Sequence, residues 1–156
     1  MRTEIELKIK APFEPLDLVI GDQALTCRIN VTPDGLLNIG EACSKAEQKI
    51  KALQKLYDDA QQSKNVAKMK KVNTQIADVI EPAIKAGIGE DGYDAILAAC
   101  GAGGPVTKAD CNIVMVKVFG AIHSTVNERM EESLNEQAAH YLAEVEDAQP
   151  EPDPED

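Results

Sequence analysis

The first thirty-one residues alternate polar and apolar positions in three short runs, each with the two-residue period of a β-strand. In residues 3–10 the aliphatic residues share one face and the charged residues share the other, which predicts a half-buried strand. Residues 16–20 and 24–31 predict two further strands, and Gly21 and Asp22 between them suit the tight turn of a hairpin. The sequence therefore predicts a small antiparallel sheet over residues 3–31.

The hydrophobic period changes after Thr32, which with Pro33 predicts an N-cap followed by a proline in the first helical turn. Apolar residues then recur at alternating steps of three and four over about three and a half heptads, as on one face of a helix. This seam consists of Leu36, Ile39, Cys43, Ala46, Ile50, Leu53, Tyr57 and Ala60. Gly35 and Gly40 weaken the first turns, so the firm part of the predicted helix is residues 41–61.

A second helical period follows over residues 66–87, where Pro82 predicts a kink or an end. The polar residues 61–65 predict a turn before it, with a continuous helix as the alternative. A short helix is expected at residues 93–100, after the glycine-containing stretch 88–94, and the glycine loop at residues 101–105 breaks the chain. These patterns predict two more helices after the seam helix.

Thr107 and Asp110 form a variant of the capping box, which predicts a long helix from there to about residue 146. Its expected apolar stripe is Ile113, Val116, Phe119, Val126, Met130, Leu134, Tyr141 and Val145. The β-branched run 113–116 also suits a strand, but the length and the cap favour a helix. The predicted fold class is α+β, mainly α: a small N-terminal antiparallel sheet followed by about four helices (33–146), in a single domain of residues 1–146.

Charge is distributed very unevenly along these 156 residues, whose net charge is −11. Residues 128–156 contain eleven acids and one arginine, whereas residues 45–71 contain eight basic and three acidic residues. We interpret these stretches as a solubilising tail and a solvated lysine face; their attraction, within or between chains, is the alternative. Residues 147–156 alternate proline with acids, which predicts a disordered acidic tail.

Composition also excludes several classes of protein. The acidic balance argues against nucleic-acid binding, and apolar runs such as residues 113–116, which Lys117 ends, are far too short to span a membrane. The charged first residues do not form a signal peptide. We therefore expect a soluble cytoplasmic protein, in which the four scattered cysteines are reduced thiols. A disulfide between Cys100 and Cys111 across the glycine loop is the alternative.

The chain lacks a convergent cluster of catalytic residue types. The glycine loop resembles a phosphate cradle, but no lysine directly follows a glycine and Pro105 removes a backbone donor, so a hinge between helices is favoured. His123 and His140 lie too far apart on one predicted helix to share a metal. We therefore predict no enzymatic activity, no cofactor and no metal site.

The heptad seam is the strongest candidate for a binding site. Its narrow width and lysine-rich flank favour contact with a partner helix, whereas Leu37, Ala52 and Leu56 broaden the stripe, as in a helix packed inside its own monomer. The candidate partner-binding residues are Ile39, Cys43, Ala46, Ile50, Leu53, Tyr57 and Ala60. Self-association through this face is a further option.

The organisation resembles the tail assembly chaperones of long-tailed bacteriophages. The resemblance rests on the N-terminal hairpin, the heptad-like helix, the segment AGIGEDGYDAIL at residues 86–97, the long helix containing VFGAI at residues 118–122, and the acidic tail. In that family an acidic, glycine-bearing segment precedes a short helix and an asparagine-containing final helix, a place that Asn112 fills here. The likeness is one of layout over residues 3–145, without a diagnostic motif.

This resemblance implies a non-catalytic protein that binds the hydrophobic tape-measure protein in the host cytoplasm, keeps it soluble and helps recruit tail-tube subunits. Such chaperones are absent from the mature virion and often have a longer, frameshifted form. Two other classes remain open: a structural head–tail or tail component, which normally needs larger sheet surfaces, and a small helical adaptor or regulator that binds one folded partner.

Overall fold

The computed structural model describes residues 11–102 and 104–148, with side chains to residue 143. It is mainly helical, with a two-stranded antiparallel sheet at the start. The elements are β1 (Phe13–Ile20), β2 (Gln23–Asn30), α1 (Pro33–Gln62), α2 (Val66–Gly101), a 3₁₀ turn (Ala109–Cys111) and α3 (Asn112–Ala148). The strand predicted at residues 3–10 lies outside the described residues, as does most of the predicted acidic tail.

The predicted hairpin is confirmed. Ile20 pairs with Gln23 across a two-residue turn, where Gly21 has a φ of +59° that glycine adopts without strain. Cys27 and Ile29 on β2 are buried, because β2 packs against α2. The sheet therefore covers one side of the helices and supplies two core side chains.

The N-cap of α1 forms at Thr32, as the sequence predicts. Thr32 Oγ1 accepts the Gly35 N–H at 3.1 Å, and Asn30 Oδ1 in turn accepts from the Thr32 hydroxyl at 2.6 Å. The structure confirms the expected turn at residues 61–65 and not the alternative, a continuous helix. Lys64 has a φ of +56°, and Asn65 Oδ1 accepts the Lys68 N–H at 3.1 Å. α1 and α2 therefore form a helical hairpin.

Within the described residues the structure has three helices, so the predicted four are not confirmed. The segments predicted as a second helix and a separate short helix both belong to α2, which continues through Pro82. Only Gly89 inside it leaves helical geometry, with φ +81° and ψ 171°. The sequence predicts an interruption over residues 88–94, which contain Gly89 and Gly92, whereas Gly89 alone provides the bend.

Contacts along α3 define its direction. The Asn112 side chain donates to the Asn73 carbonyl of α2 at 2.8 Å. Farther along, Ile122 lies against Gly87 of α2, and Met130 lies against Gly40 near the start of α1. α3 thus runs parallel to the first part of α2 and antiparallel to α1, and it passes the start of α1 near residue 130.

The predicted apolar stripe of α3 is wrong in its first turns. Residues 113–116 are helical, as expected, but Ile113 is 76% exposed and Val116 is also exposed. The core face is instead Cys111, Met115, Val118, Phe119, Ile122 and Val126. Four consecutive apolar residues at 113–116 place apolar side chains on more than one face of the helix. Their periodicity alone therefore does not show which face packs against the core. The helix also includes Asp147 and Ala148, which the sequence pattern places in the disordered tail.

Candidate functional site

Most of the predicted seam lies inside the protein. Ile39, Cys43, Ala46, Ile50 and Ala60 are buried, and all but Ala60 belong to the cluster that α1 forms with α2 and α3. Burial, with a smaller contribution from Glu47, raises the pKa of the Cys43 thiol to about 11. These five side chains do not reach the surface of the folded monomer, so they hold α1 in place.

The other two candidate partner-binding residues, Leu53 and Tyr57, are half-buried at the edge of this core. Leu53 lines one of two adjoining depressions between α1 and α2. The two depressions share Gln75, and together we call them the α1/α2 groove. Its apolar floor consists of Ala52, Leu53, Leu56, Val72 and Val79. Leu56 is 42% exposed, so the groove offers apolar surface along the helical hairpin.

Lysines dominate the rim of the α1/α2 groove. Lys49, Lys68 and Lys71 line it, with Asp78 as the acidic lining residue at one end. Lys45 and Lys51 on α1 are already paired with Glu41 and Glu47 at 3.1 and 3.3 Å. Over the described residues, Lys68 and Lys71 have no carboxylate within ion-pair distance. The groove thus combines an apolar floor with available positive charge.

The last turns of α3 form a second exposed surface. Beyond Ser133 every side chain to residue 143 is exposed; we call residues 134–148 the α3 projection. Leu134, Tyr141 and Leu142 are 63–64% exposed, and with Ala138 they recur at the spacing of one helix face. Residues 134–148 contain four acids and no lysine or arginine. The projection is therefore an acidic helix with an apolar stripe.

An ion pair fixes the base of this projection. Arg129 of α3 donates from Nε and Nη2 to the Glu14 carboxylate of β1 at 2.5 and 2.6 Å, and from Nη1 to Glu132 at 2.9 Å. The bidentate contact with Glu14 raises the pKa of Arg129. Because the pair joins the start of the sheet to α3, it orients the point from which the projection leaves the body.

The glycine loop is bound internally. Thr107 Oγ1 accepts the Asp110 N–H at 3.2 Å and Asp110 Oδ2 accepts the Thr107 N–H at 3.0 Å, which confirms the predicted capping box. Lys108, which follows the glycine loop, donates to Glu81 of α2 at 2.9 Å. This hydrogen bond is the main reason that the pKa of Glu81 is lowered, with Lys85 contributing as well. The loop therefore anchors the start of α3 to α2.

The remaining titratable groups form no convergent arrangement in the described part of the chain. Cys111 is hydrogen-bonded to Cys100, and burial followed by this contact raises its pKa to about 11; both are free thiols. His123 lies against the Phe119 ring and His140 against Tyr141, with centroid distances of 5.9 and 6.2 Å. Within the described residues no three His, Cys, Asp or Glu side chains are placed to hold a metal ion.

Sequence reasoning missed the rim and half of the floor of the α1/α2 groove. The lysine-rich stretch was visible, but it was interpreted as a solvated face. From the sequence, Leu56 indicates only a broader apolar stripe on α1. A groove between two helices depends on which of their faces pack together. The spacing of apolar residues along α1 therefore cannot predict that Lys68 and Val72 of α2 lie beside Leu56.

None of the helices in the described part of the chain has an apolar stretch long enough to cross a bilayer. Comparison of the chain with protein-family models, with curated proteins and with solved structures gives no match in any of the three. The α1/α2 groove and the α3 projection are therefore the features from which a function can be argued.

Proposed function

We propose that this protein is a non-catalytic tail assembly chaperone of a long-tailed bacteriophage, which binds the tape-measure protein in the host cytoplasm, keeps it soluble and helps recruit tail-tube subunits. The resemblance of residues 86–97 and 118–122 to that family, within the same order of elements, motivates the proposal. The α1/α2 groove is the observation that carries it, since it offers an open apolar floor on an acidic protein.

The groove suits an amphipathic helix. Helix-in-groove recognition places apolar side chains at three- and four-residue spacing against an apolar floor. Leu53 and Leu56 lie one helical turn apart on α1, and Val72 and Val79 lie two turns apart on α2. A long hydrophobic partner such as a tape-measure protein contains many such helical segments, so several copies of the chaperone could cover one chain.

The charge of the protein provides the solubilising part of the proposed function. Each bound copy adds a net charge of −11 to the complex, and like-charge repulsion opposes association between complexes. The acids are concentrated in the sequence from residue 128 onward, and the α3 projection, which belongs to this stretch, lies away from the lysine-rimmed groove. Binding and solubilisation are thus assigned to different parts of the molecule.

The proposal is tested by co-expression of this protein with the tape-measure protein of the same phage. We expect the tape-measure protein to move from the insoluble to the soluble fraction and to co-purify with the chaperone. Assembly of the purified protein into closed rings or tubes, with the tape-measure protein still insoluble, would contradict the proposal and favour a structural tail component. Stable one-to-one binding to a folded partner, again without rescue, would favour an adaptor.

A further inference from the structure

The α1/α2 groove and the α3 projection lie toward opposite ends of the helical body. α3 passes Gly40 of α1 at Met130 and continues for about 27 Å to Ala148, at a rise of about 1.5 Å per residue. From Gly40, α1 runs in the opposite direction for about 24 Å before it reaches Leu56 in the groove. The projection of a chain therefore cannot reach the groove of the same chain.

The two surfaces both offer apolar side chains and carry opposite charge. The projection presents Leu134, Tyr141 and Leu142 on a helix that carries only acidic formal charges. The groove presents an apolar floor with Lys68 and Lys71 of α2 among its lining residues. Like charges oppose contact between two projections or between two grooves, so the favourable contact between copies joins a projection to a groove.

We propose that the α3 projection of one copy docks in the α1/α2 groove of a second copy, with its apolar stripe on the floor of the groove and its acids beside the rim lysines. Two copies that lie antiparallel bring each projection to the other's groove, so both contacts form together and close a twofold dimer. This inference goes beyond the proposed function, since it concerns the protein alone and requires no tape-measure protein.

The test is sedimentation velocity of the purified full chain over a range of protein concentrations and at low and high salt. We expect a concentration-dependent species of about twice the chain mass of 16.8 kDa. Added salt should dissociate it, because screening weakens exposed charge pairs. A monomer at every concentration in low salt would overturn the proposal.

Two double variants locate the contact. Lys68→Glu with Lys71→Glu reverses the groove rim, and Leu134→Ser with Tyr141→Ser removes most of the stripe on the projection. All four residues are exposed, so the fold should be retained, and circular dichroism verifies this. Each variant alone should self-associate at least about tenfold more weakly than the parent protein.

Mixing the two variants provides the sharpest readout, because one retains an intact projection and the other an intact groove. Their mixture should form a one-to-one complex at concentrations where each alone is monomeric. Arg28→Glu with Lys117→Glu makes the same change in charge at exposed positions outside both surfaces, and this control should dimerise normally. Variants that associate like the parent, or a mixture that stays monomeric, would overturn the proposal.

Discussion

At the scale of single residues, the closest packing of α2 on α3 occurs at Gly87. A β-carbon there would lie 2.8 Å from Ile122 Cγ2, whereas one at Gly120 would have no atom within 4 Å. We expect Gly87→Ala to destabilise the protein by about 1–2 kcal/mol, because the overlap outweighs the gain in helix propensity. Gly120→Ala should be neutral or stabilising by up to about 1 kcal/mol. Urea denaturation of both variants checks this, and equal midpoints would contradict the described packing.

The ion pairs of Glu81 predict a specific dependence of stability on pH. Lys108 and Lys85 hold the pKa of Glu81 below its ordinary value of 4.5 in the folded protein. Their stabilisation is therefore present above about pH 4.5 and is lost as the pH falls through the folded pKa. Glu81→Gln should lower the free energy of unfolding by about 1 kcal/mol near neutral pH, and the difference should shrink in acid.

Glu90→Gln is the matched control for this experiment. Glu90 is 80% exposed and its carboxylate lies 3.9 Å from Lys85 Nζ, so this ion pair is long and well solvated. It should change stability little at any pH. Denaturant titrations between neutral and acidic pH measure both variants. A loss of stability in Glu81→Gln that does not vary with pH would show that the charge of Glu81 is not its cause.

At the scale of elements, Gly89 determines the shape of α2. Its φ of +81° and ψ of 171° are accessible essentially to glycine alone, and a β-carbon there would contact nothing within 4 Å. Gly89→Ala should therefore cost about 1–3 kcal/mol through the backbone alone, measured by the same denaturation. A neutral effect would mean that the backbone bend at this position is not required.

Local signals were sufficient to predict the hairpin and the regions where the helices start, because the residues that form them are adjacent in sequence. Thr32, Asn65 and the Thr107–Asp110 pair satisfy backbone donors within three residues of themselves. The α3 core face and the α1/α2 groove could not be predicted in this way. They depend on which side of one helix meets another, and residues 113–116 show that an apolar run does not specify that side.

For the whole molecule, the central feature is the separation of a lysine-rimmed apolar groove from an acidic projection. Under our two proposals, both the tape-measure protein and a second copy bind in the groove, so they compete for it. In that account the apolar floor of the groove is covered by the second copy in the absence of tape-measure protein. It becomes accessible when the tape-measure protein displaces that copy. Tape-measure segments should then dissociate the dimer in sedimentation experiments, and a dimer that binds such a segment without dissociating would contradict the competition.

The most direct test of the account is the soluble yield of the tape-measure protein when it is co-expressed with groove variants. Leu56→Glu places a charge in the groove, and Leu37→Glu places the same charge at another exposed leucine of α1, which is 58% exposed and outside the groove. Leu56→Glu should reduce the soluble yield about tenfold, whereas Leu37→Glu should match the parent protein. Equal yields from both variants would contradict binding through the α1/α2 groove.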